Sequence, residues 1–169
     1  MNRIKSAEDP YYDYQTQARG LVDAHDLRKK FLKLAPWYKK LLHRYLPKDL
    51  NATILDIPCG YGNILYFFRE YGYKNAVGYD LDPEQVRLSQ MLDLAALEGN
   101  AFTVLKDENK LYDCIISVDF LEHMSRDNTL YFLDLCCSRL KSGGTVIVRT
   151  PCADGLFGAH DRYNDLTHQ

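Results

Sequence analysis

A chain of 169 residues, 46 % of them hydrophobic, is expected to fold as one domain around one core. A formal net charge of −2 gives no overall reason to expect a nucleic-acid partner. No apolar run of about 18 residues marks a transmembrane helix, and MNRIKSAEDP has no apolar stretch of a secretory signal behind its basic residues.

Residues 1–20 are polar, carry Tyr11, Tyr12 and Tyr14, and read as an N-terminal arm. Residues 21–50 have helical spacing interrupted by Pro36. A proline pushes the residue before it out of the helical region, which predicts two short helices, 22–34 and 37–45. Leu32, Trp37, Leu41, Leu42 and Tyr45 supply their apolar faces. Arg28, Lys29, Lys30, Lys33, Lys39, Lys40, Arg44 and Lys48 make this the basic part of the chain, and they read as a solvated face.

From 51 to 152 the pattern alternates between strand and helix. An apolar run at 53–57 reads as a buried strand. It breaks at Cys59-Gly60-Tyr61-Gly62 into a helix over 61–71, with Ile64, Leu65, Phe67 and Phe68 inward and Gly72 as its stop. A second strand covers 76–80. Asp82-Pro83-Glu84-Gln85 has the residues of a capped helix start, and the helix is expected to reach 98. Residues 101–105 read as the third strand and 112–118 as the fourth. Asp113, near the start of the fourth, is expected to be structural. A helix over 125–141 places Leu130, Leu133, Cys137 and Leu140 on one face. Ser142-Gly143-Gly144 turns the chain into a fifth strand, 145–149, and Pro151 stops it. Such alternation implies a parallel sheet with right-handed crossovers. The five cysteines, Cys59, Cys114, Cys136, Cys137 and Cys152, form no CxxC pair and read as reduced thiols of a cytoplasmic protein.

The chemistry concentrates at the first glycine turn. A strand, a glycine turn and a helix place a gap at the carboxyl end of a strand, where open α/β sheets bind ligands. Glycine there lets the backbone approach a ligand closely. The motif is D-x-x-x-G-x-G, with Asp56 as its acid. Compared with G-x-G-x-x-G, Pro58 and Leu65 replace the first and third glycines. A second acid, Asp80, ends the next strand about 20 residues on, where a carboxylate can accept bonds from ribose hydroxyls. The candidate cofactor site is therefore Asp56, Pro58, Cys59, Gly60, Tyr61, Gly62, Asp80 and Leu81. After the fourth strand, Asp119, Glu122 and His123 would share one face if the segment turned helically. A carboxylate or histidine there would serve as a base toward a hydroxyl acceptor.

LDIPCGYGN (55–63), VGYDLDPEQV (77–86), YDCIISVDFLEHM (112–124) and LKSGGTVIVRTP (140–151) resemble, in order and spacing, segments of the class I S-adenosylmethionine (SAM)-dependent methyltransferases. The resemblance implies an α/β, Rossmann-like parallel sheet of order 3-2-1-4-5 with SAM at the first turn. It places Asp107, just past the third strand, where family members have an acid bonded to the adenine amino group. The arm before the first strand would act as a lid. The family fold continues with a helix and two more strands, about 35–40 residues at ordinary lengths. Only 152–169 follow Pro151, so strands six and seven are expected to be lacking. Strand five would then be an open edge suited to self-association, and 153–169 a polar tail beginning an acceptor region.

The spacing of Asp119, Glu122 and His123 is similar to the E-x-x-E-H metal motif of some O-methyltransferases, which implies a possible divalent metal there with His168. The tail resembles the R-Y-x-D-x-T-H segment of bacterial methyltransferases of polysaccharide biosynthesis. The implied activity is O-methylation of a small hydroxylated acceptor such as a saccharide. A nicotinamide-dependent dehydrogenase is disfavoured by the missing fingerprint glycines. A non-catalytic methyltransferase-like interaction module remains the alternative from another class.

Overall fold

The structure, a computed structural model, describes residues 24–107 and 109–151; the arm at 1–20, the tail at 153–169, Cys152 and His168 lie outside them. Its elements are α1 (Ala24–Leu42), β1 (Thr53–Asp56), α2 (Asn63–Glu70), β2 (Asn75–Asp80), α3 (Pro83–Gln90), β3 (Ala96–Glu98), α4 (Ala101–Asp107), β4 (Tyr112–Val118), α5 (Arg126–Ser138) and β5 (Leu140–Arg149). The strands form a parallel sheet of order β3-β2-β1-β4-β5, the order that the family resemblance implies. Helices cover both faces. Ile54, Cys114 and Ile116 pack under α1 and α2; Leu55, Ile57 and Ile115 pack under α4 and α5. Both faces of β1 and β4 are dry, which is why these strands read as near-continuous apolar runs.

Several expectations are corrected. The two predicted N-terminal helices are one. A buried stripe, Leu27, Phe31, Ala35, Tyr38 and Leu42, runs through α1 and past Pro36. Pro36 sits on the exposed side, where water can take the carbonyl it leaves unbonded, so burial of the stripe outweighs the break. Of the apolar residues expected inward only Leu42 is buried; Leu32, Trp37, Leu41 and Tyr45 are exposed.

The helix expected to reach residue 98 stops at Gln90. Asp93 is left-handed, with φ 56°, and the chain turns into β3 at Ala96. The expected third strand, 101–105, is instead α4. Its start is capped by Asn100, whose Oδ1 accepts from the amides of Phe102 and Thr103. Asn is a helix N-cap as readily as a helix stop, and here it caps.

On α5 the buried residues are Phe132 and Cys136, while Leu130 and Cys137 are exposed, so the helix faces the sheet from a different side than expected. β5 is longer than the predicted 145–149. It starts at Leu140 and absorbs Gly143, with φ 78°, at an irregularity in its register with β4. Among the described residues β3 and β5 are the edges of the sheet.

Asp113 has the structural role expected of it. Its Oδ2 accepts from the Thr53 amide at 2.7 Å, the Thr53 hydroxyl at 2.8 Å and Lys141 Nζ at 2.7 Å. It thereby ties β4 to the start of β1 and to β5. The bond from Lys141, then that from the Thr53 amide, pushes its pKa down to about 2. A depressed carboxylate stabilises the fold above its unfolded pKa of roughly 3.9 and loses that contribution as pH falls toward the folded value. Urea midpoints are therefore expected to fall between about pH 4 and pH 2, and Asp113→Asn should flatten that limb. An unchanged limb in the variant would show that Asp113 is not its source.

Candidate active site

A cavity of about 520 Å³ opens at the carboxyl ends of β1, β2 and β4, with the β3–α4 turn on one side. This is where the strand order reverses between β1 and its two neighbours, the position at which open α/β sheets take ligands. Asp56, Pro58, Cys59, Gly60, Tyr61, Asp80 and Leu81 all line it.

The glycine turn and Asp80 hold each other in place. The Gly60 amide donates to Asp80 Oδ2 at 2.7 Å, and the Asp82 amide donates to Oδ1 at 2.9 Å. Asp82 Oδ1 in turn accepts from the Glu84 amide, capping α3. Each Asp80 oxygen is thus fixed by a backbone amide, and the carboxylate stands on the cavity wall with little freedom to turn away. Gly60 is left-handed, with φ 53°. A side chain built on it would have one neighbour within 4 Å, Gln85 Oε1, itself a cavity residue. Gly62 is also left-handed, with φ 85°, but it does not line the cavity. Its missing Cβ would stand 2.6 Å from Ser89 Oγ and 2.7 Å from Leu94 Cδ1. It serves the packing of α2 against the α3–β3 segment.

Asp56, the last residue of β1, is 1 % exposed, and neither of its carboxylate oxygens has a hydrogen-bond partner. Burial first, then the like charge of Asp80, push its pKa well above the usual carboxylate range. A buried carboxyl without a partner is costly in an apolar surrounding. It lies on the wall of a ligand-sized cavity, so an unpaired carboxyl stands at the carboxyl end of β1.

Asp107 is not at this site. It is exposed at the far end of α4, because that segment is a helix rather than the third strand, and it is absent from the cavity wall. The wall there consists of Gly99, Asn100, Ala101 and Phe102. Sequence reasoning missed these as site residues, together with Gln85. The available signal was Gly99-Asn100 read as a strand-to-helix turn. Asn63 is held from α1, donating from Nδ2 to the Tyr38 hydroxyl at 2.6 Å.

The Asp119, Glu122 and His123 group divides. Residues Leu121–His123 form a single 3₁₀ turn, not the α-helical face that would align all three. Asp119 is left-handed, with φ 53°. It lines the cavity, but both its oxygens accept from Arg149 Nη1, at 2.6 and 2.7 Å. The Arg149 guanidinium lies 5.2 Å from the centroid of the Trp37 ring. Glu122 Oε2 accepts from the Thr150 hydroxyl at 3.0 Å, away from the cavity wall. His123 lines the cavity beside Phe120 and Met124. Among the described residues no group of three or more His, Cys, Asp or Glu could hold a metal ion. Of the possible metal set Asp119, Glu122, His123 and His168, Asp119 is turned to Arg149 and Glu122 to Thr150, and His168 lies outside the described residues.

A family model described as a methyltransferase domain matches residues 25–169. Among curated proteins, the chain is 28 % identical to the cyclopropane-fatty-acyl-phospholipid synthase of Escherichia coli K12, over 66 % of this chain and 29 % of that protein. It is 24 % identical to the human mitochondrial ubiquinone biosynthesis O-methyltransferase, over 89 % of this chain and 49 % of that protein. The chain thus spans from under a third to about half the length of these relatives. A crystal structure of a SAM-dependent methyltransferase from Archaeoglobus fulgidus superposes with a TM-score of 0.69 and 26 % identity, over 87 % of this chain and 67 % of that one. The match along 25–169, the sheet order and the ordered sequence segments agree: the chain belongs to the methyltransferase-domain family, with the Rossmann-like fold of the SAM-dependent class.

Proposed function

We propose that the chain binds SAM in the cavity beside the glycine turn and catalyses methyl transfer to a small hydroxylated acceptor, such as a saccharide. The observation that carries this reading is the pair of carboxylates flanking an open glycine backbone: Asp80 locked by two amides, Asp56 buried with no partner. Such a wall fits a cationic ligand that also carries ribose hydroxyls. Bound there, SAM supplies a methyl group on a sulfonium. Asp80 accepts from the ribose hydroxyls, the Gly60 backbone admits the methionine part, and Leu81 and Phe102 offer apolar surface to the adenine. Val118, Phe120 and Met124 help exclude water from the acceptor side.

Methyl transfer by displacement depends chiefly on placing the nucleophile, and a hydroxyl must also lose its proton. His123 lines the cavity with an imidazole, a side chain suited to taking a proton from a hydroxyl, and it is assigned as the base. The Asp119–Arg149 pair positions the loop after β4, and Glu122 supports it through Thr150. The human relative's name supports oxygen as the accepting atom, and the tail's resemblance to polysaccharide-pathway enzymes supports a saccharide.

His123→Ala is expected to lower turnover by about 10²–10⁴-fold, the usual worth of a positioned general base, with SAM affinity unchanged. Methyl transfer from labelled SAM across a panel of hydroxylated acceptors, with calorimetry for the affinity, is the test. Equal turnover in the variant would remove His123 from the chemistry. SAM binding with no turnover on any acceptor would favour the non-catalytic interaction module.

A further inference from the structure

Asp56 is an unusual group to find at the wall of a cavity that takes a cation. It is fully buried, and neither oxygen accepts a hydrogen bond. The ionisable groups facing it come from four elements. Asp80 ends β2, Cys59 lies in the glycine turn, Cys114 is on β4 and Tyr38 is on α1. None is a cation. Beyond Tyr38 stand Tyr61, Asp119 and Arg149, and the charge of Arg149 is taken by Asp119. Asp80 is different in kind, because its two oxygens accept from backbone amides that favour its charged form. Two carboxylates therefore share one cavity, one engaged by two backbone amides and the other with no hydrogen-bond partner. Like charges in such a pair are not both retained when one group lacks partners.

We propose that Asp56 holds a proton in the free chain and gives it up when SAM binds, so that cofactor binding is coupled to the release of one proton to solvent. The inference rests on the cofactor reading above. In the balance, the Asp56 O–H bond breaks, its electron pair stays on the carboxylate, the proton passes to buffer, and the cofactor's positive charge replaces it in the cavity. Burial and the neighbouring Asp80 charge both disfavour ionisation in the free chain, which agrees with this order of events. The empty cavity is then spared an unpaired buried charge, and Asp56 becomes charged beside Asp80 only as the cofactor arrives.

The test is calorimetry of SAM binding to the full chain at one pH in phosphate and in Tris, whose ionisation heats differ. The dependence of the observed heat on the buffer counts the protons released. The cofactor's own amino group can also exchange a proton, so the readout is wild type minus Asp56→Asn. A difference approaching one proton is expected. In wild type, SAM affinity should also rise by up to about tenfold per pH unit over the range where Asp56 is protonated in the free chain.

Difference infrared spectroscopy on wild type gives a reading that does not depend on the variant folding. A protonated-carboxyl band should be present in the free chain and lost on binding. Binding with equal proton counts in wild type and variant, or an ionised Asp56 in the free chain, overturns the inference and leaves the cofactor reading intact. Absence of any SAM binding overturns both.

Discussion

Asp80→Ala is expected to weaken SAM binding by about 1–3 kcal/mol, roughly 5- to 150-fold. The carboxylate has two tasks, and the substitution removes both. Toward the ligand it loses a charged acceptor for ribose hydroxyls, the larger kind of hydrogen-bond loss. Toward the protein it frees the amides of Gly60 and Asp82, so the turn that shapes the cavity loses its anchor to β2. Asp80→Asn separates the two, since an amide oxygen can still accept from one backbone N–H while the charge is gone. Titration calorimetry on both variants, with melting temperatures measured alongside, checks the expectation. An Asp80→Ala protein that binds SAM as tightly as wild type would rule out the ribose contact.

The two glycines of the turn should fail in different ways when each is changed to alanine. Gly62→Ala places a side chain in a left-handed conformation, costing roughly 1–2 kcal/mol. It also drives a Cβ within 2.7 Å of Ser89 and Leu94, an overpacking worth about 1–3 kcal/mol. The sum, about 2–5 kcal/mol, is a large share of a small domain's stability. The expected result is a much lower urea midpoint, with near-normal SAM affinity in whatever remains folded. Gly60→Ala carries only the conformational cost, because its Cβ has open space up to Gln85. That space is the cavity, so this variant should fold and bind SAM poorly. Reversal of the pattern, with Gly62→Ala stable and cofactor-deficient, would move the cofactor to the other side of the turn.

How the site could be read from the sequence follows from which interactions are local. Thr53 to Ile57 is apolar enough to be buried on both faces, and glycines follow where the chain must turn at the strand end. Those are local facts, and with Asp80 closing the next strand they located the cavity wall. The acid's partners were not legible. That Asp80 is tied to Gly60, and that Asp56 has no partner at all, depends on how β1 and β2 lie side by side. The same limit applied at Asn100, where one residue can stop a helix or start one. The choice is made by α4 packing Ala101 and Leu105 against β1 and β4.

By itself, then, the sequence determined the alternation of strands and helices, the sheet order through its family likeness, and the turn with its two acids. These rest on hydrophobic periodicity and on backbone conformations open chiefly to glycine, both properties of short stretches of chain. Tertiary structure alone decided the rest. It kept α1 whole across Pro36, because five buried side chains outweigh one missing hydrogen bond. It made Gly62 a packing residue and Gly60 a cavity residue, though they stand two positions apart. It also turned Asp119 to Arg149 on β5, because a carboxylate spaced for a metal will pair with whichever cation the fold brings within reach.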